Sequence, residues 1–405
     1  MNRSAILALI GERGPIARVE IARELSLSQA TVTVLTRDFV HEGLVREVAP
    51  APSRGGRPGV LLGLVGGAAH ALGVKIAPER LTFVRVNLEG EPLGFSSRSF
   101  DAVAPDAIER LLDAIAEVAS DDLPGSHLLG VGLGVPGIAD ARAGVVDSPV
   151  LGWNRVPLGP MAHERIGVPV LLDNDVNTLA GAERLYGRGR GVENFVTVTI
   201  GRGVGLGIVV GGELYRGAHG GAGEFGHVRV VDDGPLCHCG HRGCLEALVS
   251  DIALVDAARR SGQLGADAGI DRLRDLAESG SEAARGLFAS AGTTLGHAVA
   301  GLVNILSPQL VLVSGEGTQA WQWLSVAFEA ALREDIFMPL RVVPVEVDPW
   351  DDTKWARGAA ALVLRATFST PIYEFEPDDA VRARLEARTE ARAVGDGLVR
   401  AGGSV

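Results

Sequence analysis

Cys237, Cys239 and Cys244, the chain's three cysteines, fall within eight residues. Three neighbours cannot build a disulfide framework, whereas thiolates gathered in a Gly- and His-rich turn are metal donors. With one histidine they complete the sulfur and nitrogen set that zinc takes in a tetrahedron. His227, ten residues before Cys237, can close the site, and His238 and His241 inside the loop compete with it. Spacing alone does not choose among them. Three packed, inert thiols are the bland alternative, which the concentration of Gly and His disfavours.

A second set is Asp173-Asn174-Asp175, directly after the apolar run VPVLL. Ligand sites of α/β sheets form at the carboxyl ends of strands, where a carboxylate can act as general base toward a sugar hydroxyl. Asp and Asn also cap helices, so the triplet alone decides little. A third set lies in ARVEIARELSLSQATVTVLTRDFVHEGLV, residues 17–45. The pattern is that of a helix-turn-helix, whose second helix turns its early side chains to base edges while Arg and Ser hold phosphates. Its DNA-contacting candidates are Ser28, Gln29, Thr31, Thr33 and Arg37. A helical bundle with a solvated face would read similarly, but Ser53-Arg54-Gly55-Gly56-Arg57-Pro58 follows. That stretch sets Arg54 and Arg57 on a Gly-rich tip suited to phosphates or a narrow minor groove.

Several elements must position these groups. Apolar residues at helical spacing predict helices over 5–11, 17–25 and 30–42, ahead of any strand. Ser28 is placed to cap the third and Gly43 to end it. LVREV and VLLGL then flank the basic turn as a hairpin, which gives residues 1–65 the winged-helix order, and Gly66-Gly67 marks a linker. From Ala71 strands alternate with helices, an α/β pattern of two related halves over 70–190 and 191–375, with a charged, then Gly-rich tail at 376–405.

Composition sets bounds on this reading. At 405 residues and 46% apolar, the chain has material for two or three cores. A net charge of -12 would repel nucleic acid, yet residues 1–60 hold eight arginines against six carboxylates, a net of +2. The acidity lies elsewhere. No run reads as long and apolar enough to span a bilayer, and Glu12 and Arg13 interrupt the stretch Ala5 to Ile10 before a secretory core forms. The expectation is a cytoplasmic protein without membrane contact.

Over roughly residues 4–375, and in order, the motifs resemble the ROK family of bacterial sugar kinases and related repressors. They are LGVGLGVPGIADARAGVV (129–146), LGW (151–153), DNDVN (173–177), GRGVGLGIVVGGELYRGAHGGAGEFGH (201–227), CHCGHRGCLE (237–246) and NILSPQLVLVSG (304–315). The resemblance implies an actin-like, hexokinase-like pair of α/β lobes closing over a sugar. It implies that in the ExGH motif, Glu224 to His227, the Glu binds sugar and the His joins Cys237, Cys239 and Cys244 around a closed, structural zinc. Asp175 falls at the position of the kinase base, and Asn174 and Glu246 at sugar contacts. Asn174, Asp175, Glu224, His227 and Glu246 would then line one sugar pocket.

Departures from the family pattern separate regulator from enzyme. Kinase members open the first lobe with an Asp-x-Gly-Gly-Thr loop whose N–H groups cradle ATP phosphates. Here Gly73 to Arg80 carries Lys75 for the acidic residue, Pro78 without an N–H, and Glu79 with a further negative charge. Arg202 and Glu316 stand where small residues are usual, and Val150 precedes LGW where Asn is common. The expectation is a non-enzymatic repressor of carbohydrate genes that binds palindromic operator DNA as a homodimer or homotetramer, controlled by a monosaccharide or sugar phosphate. The alternative is an ATP-dependent sugar kinase with an accessory DNA-binding domain.

Overall fold

The computed structural model describes residues 2–50, 60–121, 123–124, 126–351 and 353–368. An amino-terminal unit holds α1 (Asn2–Arg13), β1 (Ile16–Ala17), α2 (Arg18–Glu24), α3 (Gln29–His41) and the hairpin of β2 (Val45–Pro50) and β3 (Val60–Leu64). Ile6, Ile10, Ile21, Val32, Phe39 and Leu62 form its buried centre. Ser28 Oγ accepts the Thr31 N–H at 3.0 Å and caps α3. Gly43, at φ +73°, ends the helix and lets the Leu44 N–H reach the Phe39 carbonyl. One strand departs from the expectation that helices come first: β1 precedes α2 and pairs antiparallel with β3, Ile16 opposite Leu62. The cause is local, since Gly14 at φ +75° turns the chain and sets the buried Ile16 and Ala17 against an open strand edge. The hairpin tip with Arg54 and Arg57, and the tail 376–405, lie outside the described residues.

The first lobe runs through β4 (Ala69–Ala77), β5 (Arg80–Asn87), β6 (Pro92–Ser99), α4 (Ala107–Ser120) and β7 (His127–Val135). A small sheet of β8 (Ile138–Asp140), β9 (Val145–Ser148) and β10 (Trp153–Val156) follows, then α5 (Leu158–Ile166), β11 (Val170–Asn174) and α6 (Asp175–Tyr186). The second lobe contains β12 (Phe195–Ile200), β13 (Val204–Val210), β14 (Glu213–Leu214), α7 (Glu246–Val249), α8 (Asp251–Arg260) and α9 (Ile270–Glu278). It continues with α10 (Glu282–Leu306), β15 (Leu310–Ser314), α11 (Trp321–Asp335) and β16 (Val345–Val347), before α12 (Lys354–Phe368). The main sheets, β11-β7-β4-β5-β6 and β16-β15-β12-β13-β14, share one topology. In each, three parallel strands are followed by two antiparallel ones. The related halves read from the sequence are therefore repeats of one five-stranded sheet. Within 341–347 the strand is confined to Val345–Val347, because Pro344 has no N–H for the ladder and offers only its carbonyl, to Val311 at 3.0 Å.

Two helices correct the sequence expectations. At 25 residues, with an 18-residue window of mean hydropathy 1.3, α10 is long and apolar enough to cross a bilayer, contrary to the reading that no run is. Its Phe288, Leu295, Val299 and Val303 instead build the second-lobe core with Leu324 and Phe328 of α11, and His297 on its outer side meets Asp335 at 2.7 Å. α12, placed with the second half by its position in the chain, packs on the first-lobe sheet. A Cβ at Gly73 of β4 would collide with the Ala356 carbonyl, and one at Gly132 of β7 with the Ala359 carbonyl. Only glycine lets the helix backbone lie flat on these strands. Ala356, Ala360, Val363 and Leu364 then share a core with Ile6, Leu9 and Ile10 of α1. Burying an Ile or Leu stabilises by about 2 kcal/mol, so the amino-terminal unit is packed onto the first lobe. The expected linker is built in as well: Gly66–Ala68 forms a 3-10 turn, and the Gly66 carbonyl accepts the Leu88 N–H at 3.1 Å.

Candidate functional site

The cysteine loop folds on itself through short backbone bonds. The Cys237 N–H reaches the His241 carbonyl at 2.8 Å, and Gly240 at φ +88° makes the turn that returns the chain to Cys244. A 3-10 turn at Phe225–His227 brings His227 alongside. Nδ1 of His227 lies 3.6 Å from Cys237 Sγ, and Cys239 and Cys244 sulfurs are 3.7 Å apart. The donor atoms of His227, Cys237, Cys239 and Cys244 all fall within 4.8 Å of one another. A tetrahedral zinc with bonds near 2.3 Å requires sulfurs about 3.8 Å apart, so the cluster has the right size. Of the rival histidines, His238 is engaged with Glu246 at 2.8 Å, and His241, 3.5 Å from Cys239, stands outside the four-donor group. Burial pushes the Cys237 thiol up to about 12. For Cys239 burial is outweighed by hydrogen bonds from the His241 backbone and ring, which bring it down to about 6.

The second set assembles where β11 runs into α6. Asn174 caps α6: its Oδ1 accepts the N–H groups of Val176 at 2.9 Å and Asn177 at 3.2 Å, and its Nδ2 donates to the Gly137 carbonyl at 2.9 Å. Buried Asp175 is ion-paired with Lys75 of β4. Glu246 Oε2 accepts the Val204 N–H at 3.0 Å. Burial holds the Glu224 carboxyl above its ordinary range; His227 draws it down, and Glu246 and Asp175 push it further up. Glu224 is thus close enough to Glu246 and Asp175 to feel their charge, and His227 Nε2 is 3.8 Å from Glu224. Asp173, read from the sequence only as part of the triplet, is the hub beneath them. It is 1% exposed and accepts the Asn174 N–H at 2.8 Å, Asn177 Nδ2 at 3.0 Å and, from the second lobe, Arg216 Nε at 2.7 Å.

On α3, Gln29, Thr33 and Arg37 are exposed at spacings of four, one stripe along the helix. Ser28 and Thr31 begin that stripe with their hydroxyls 2.8 Å apart. Arg18 ties the unit together behind it, donating to Thr36 Oγ1 at 2.9 Å and to Glu47 at 3.1 Å.

The sequence profile of the ROK family matches residues 72–366. This chain belongs to the ROK family. A xylose repressor of Caldicellulosiruptor bescii is 28% identical over 390 residues, spanning 92% of this chain and 98% of the relative. The Escherichia coli K12 DNA-binding transcriptional dual regulator NagC is 29% identical over 376 residues, 90% of this chain and 93% of its own length. A crystal structure of a ROK transcriptional regulator, a homologue of the E. coli MLC protein, matches with a TM-score of 0.79 at 28% identity over 91% of this chain and 96% of that one. A ROK glucokinase from Streptomyces griseus, in complex with glucose and AMPPNP, matches at 0.63 and 28% identity over 99% of its own length but 73% of this chain. The kinase is matched end to end and still leaves about a quarter of this chain uncovered, whereas the regulator leaves under a tenth.

Side chains of the chain itself meet at the segments 73–80, 201–203 and 314–317. A Cβ at Gly201 would sit 2.5 Å from Glu316 Oε2, and Arg202 Nη1 meets Glu79 Oε1 of the first lobe at 3.6 Å. Val150 is exposed and offers the cleft no polar atom. Sequence reasoning did not single out Arg216 or Trp355, whose indole lies 4.7 Å under the Lys75 ammonium. Arg216 stood within a quoted motif; Trp355 had no local signal at all.

Proposed function

We propose that this ROK-family chain is a repressor of sugar-utilisation genes whose grip on DNA is set by a sugar in the cleft. The observation that carries the reading is the pairing, in one packed body, of a three-helix unit bearing an exposed polar stripe on α3 with a ROK domain that carries Lys75, Glu316 and Arg202 where the kinases keep phosphate-binding residues. The amino-terminal unit acts as a winged helix: Ser28, Gln29, Thr31, Thr33 and Arg37 face the major groove, and Arg54 and Arg57 reach phosphates or the minor groove. Asp175, Glu224 and Glu246 accept hydroxyls of a monosaccharide or sugar phosphate, His227 Nε2 borders them, and Asn174 contributes the one amide N–H its capping role leaves. His227 through Nδ1, Cys237, Cys239 and Cys244 hold a structural zinc, which supplies a closed tetrahedral anchor for the loop carrying Glu246. The protein works in the cytoplasm as a symmetric dimer or tetramer, because one winged helix covers only a half-site.

Operator titration with and without sugar tests this. Wild type is expected to change its DNA affinity when D-xylose, D-glucose or N-acetylglucosamine is added, and Glu224→Ala is expected not to respond; equal affinity in all conditions defeats the sensor reading. The competing reading, a sugar kinase, is favoured by the retained Asp175. ATP consumption with the same sugars should be absent, and turnover on the order of one per second would establish it instead.

A further inference from the structure

Four groups from distant parts of the chain meet at the nucleotide side of the cleft. Lys75 comes from β4, Asp175 from the first turn of α6, Glu316 from the turn after β15, and Trp355 from the first turn of α12. The Lys75 ammonium pairs with Asp175 and lies over the Trp355 ring; the carboxyl of part-buried Glu316 is raised by desolvation, and the Lys75 charge opposes that shift. An ammonium held at 15% exposure loses most of its hydration, and a carboxylate with an aromatic face restores part of that loss. Two residues earlier on the same strand, Gly73 seats the backbone of α12 at Ala356 and Ala360. β4 therefore grips the start of α12 twice, once by bare backbone and once through Lys75 on Trp355. Further along, α12 packs on α1, with Val363 and Leu364 in one core with Ile6 and Ile10.

We propose that Lys75 and Trp355 are positioning residues that make α12 the coupling element between the cleft and the amino-terminal unit. This rests on reading the cleft as the effector site. A ligand hydroxyl that takes up Asp175 competes with the Lys75 ammonium, which shifts over the indole. The start of α12 follows, and α1 is displaced because the helix is too closely seated on β4 and β7 to absorb the motion locally.

Amide hydrogen exchange on the full chain, metal-loaded as purified, tests this without a known operator. In ligand-free protein, Trp355→Leu should raise exchange in α1 and the first turns of α12 by about tenfold, the scale of one partly desolvated cation–π contact, and Lys75→Met, which also strips buried Asp175 of its countercharge, by more. α10 should stay unchanged, and Trp355→Phe, which keeps an aromatic face, should stay near wild type. Unchanged α1 exchange in both variants, or an equal rise in α10, overturns the proposal. With D-xylose, D-glucose or N-acetylglucosamine added, wild type should change its protection in α1 and Lys75→Met should not. A response at Asp175 that leaves α1 untouched in wild type overturns the coupling. If no sugar changes any segment, the effector reading fails, and the ligand-free comparison still decides the role of Lys75 and Trp355.

Discussion

Donors in the cysteine loop come from residues 227–244, and tight local turns bring them together. The charged floor of the cleft draws on Lys75, Asp175, Glu316 and Trp355, each delivered by a different element. The loop contains its own logic: three sulfurs and a ring nitrogen at tetrahedral distances need only a metal. The floor is a compromise among groups that could not be buried singly, with Lys75 offsetting Asp175 and Glu316 while the carboxyls around them are pushed upward. Contiguous chemistry therefore announces itself in a sequence, and chemistry assembled across a fold does not.

Stripping the metal should separate the two regions most sharply. One zinc per chain is expected by metal analysis of protein purified without chelator, and its absence would end the structural-zinc reading. Cys239→Ser should unfold the second lobe, since such sites contribute on the order of 10 kcal/mol to folding. A smaller loss is expected at the hub. Arg216→Ala leaves Asp173 buried and uncompensated, a cost of about 3–5 kcal/mol, read as a lower denaturation midpoint. The double change Arg216→Met with Asp173→Leu should recover most of it, and a single-mutant loss under about 1 kcal/mol would mean the pair is solvated.

The smallest effect concerns pH. Burial, with Glu316 and Asp271 adding and Arg274 opposing, raises Asp251 to about 6. A carboxyl raised in the folded state favours folding below its unfolded value near 4, and that contribution disappears as pH climbs through about 6. Wild type should lose up to roughly 3 kcal/mol across this window, and Asp251→Asn should flatten the profile. A variant profile identical to wild type would show that Asp251 is solvated in the folded protein.

Much of the fold was legible because its signals are local. Ser28 and Gly43 bracket α3 by capping chemistry, the alternation after Ala71 encodes two sheets, and Cys237 to Cys244 declares a metal loop. Spacing alone left His227, His238 and His241 open; the family resemblance favoured His227, and the 3-10 turn at Phe225–His227 brings it beside the cysteines. The destination of α12 was not legible, because its alanines read as an ordinary helix and the reason for their seat lies in Gly73 and Gly132, hundreds of residues away. Asp173 stood in the sequence as one of a triplet, but its pairing with Arg216 was hidden likewise until the lobes meet.

The seat of α12 also fixes an order of events during synthesis. α1 is complete by residue 13 and β4 by residue 77, but the helix that covers both is made only after residue 353. At about 5–20 residues per second, the nascent chain spends on the order of tens of seconds with one wall of its first lobe missing. Chains arrested at residue 353 should keep α1 open to protease on the ribosome, and those released after residue 368 should protect it; early protection would show that α1 has another cover. A message cut short upstream of α12 would then yield a protein whose amino-terminal unit lacks part of its packing on the first lobe.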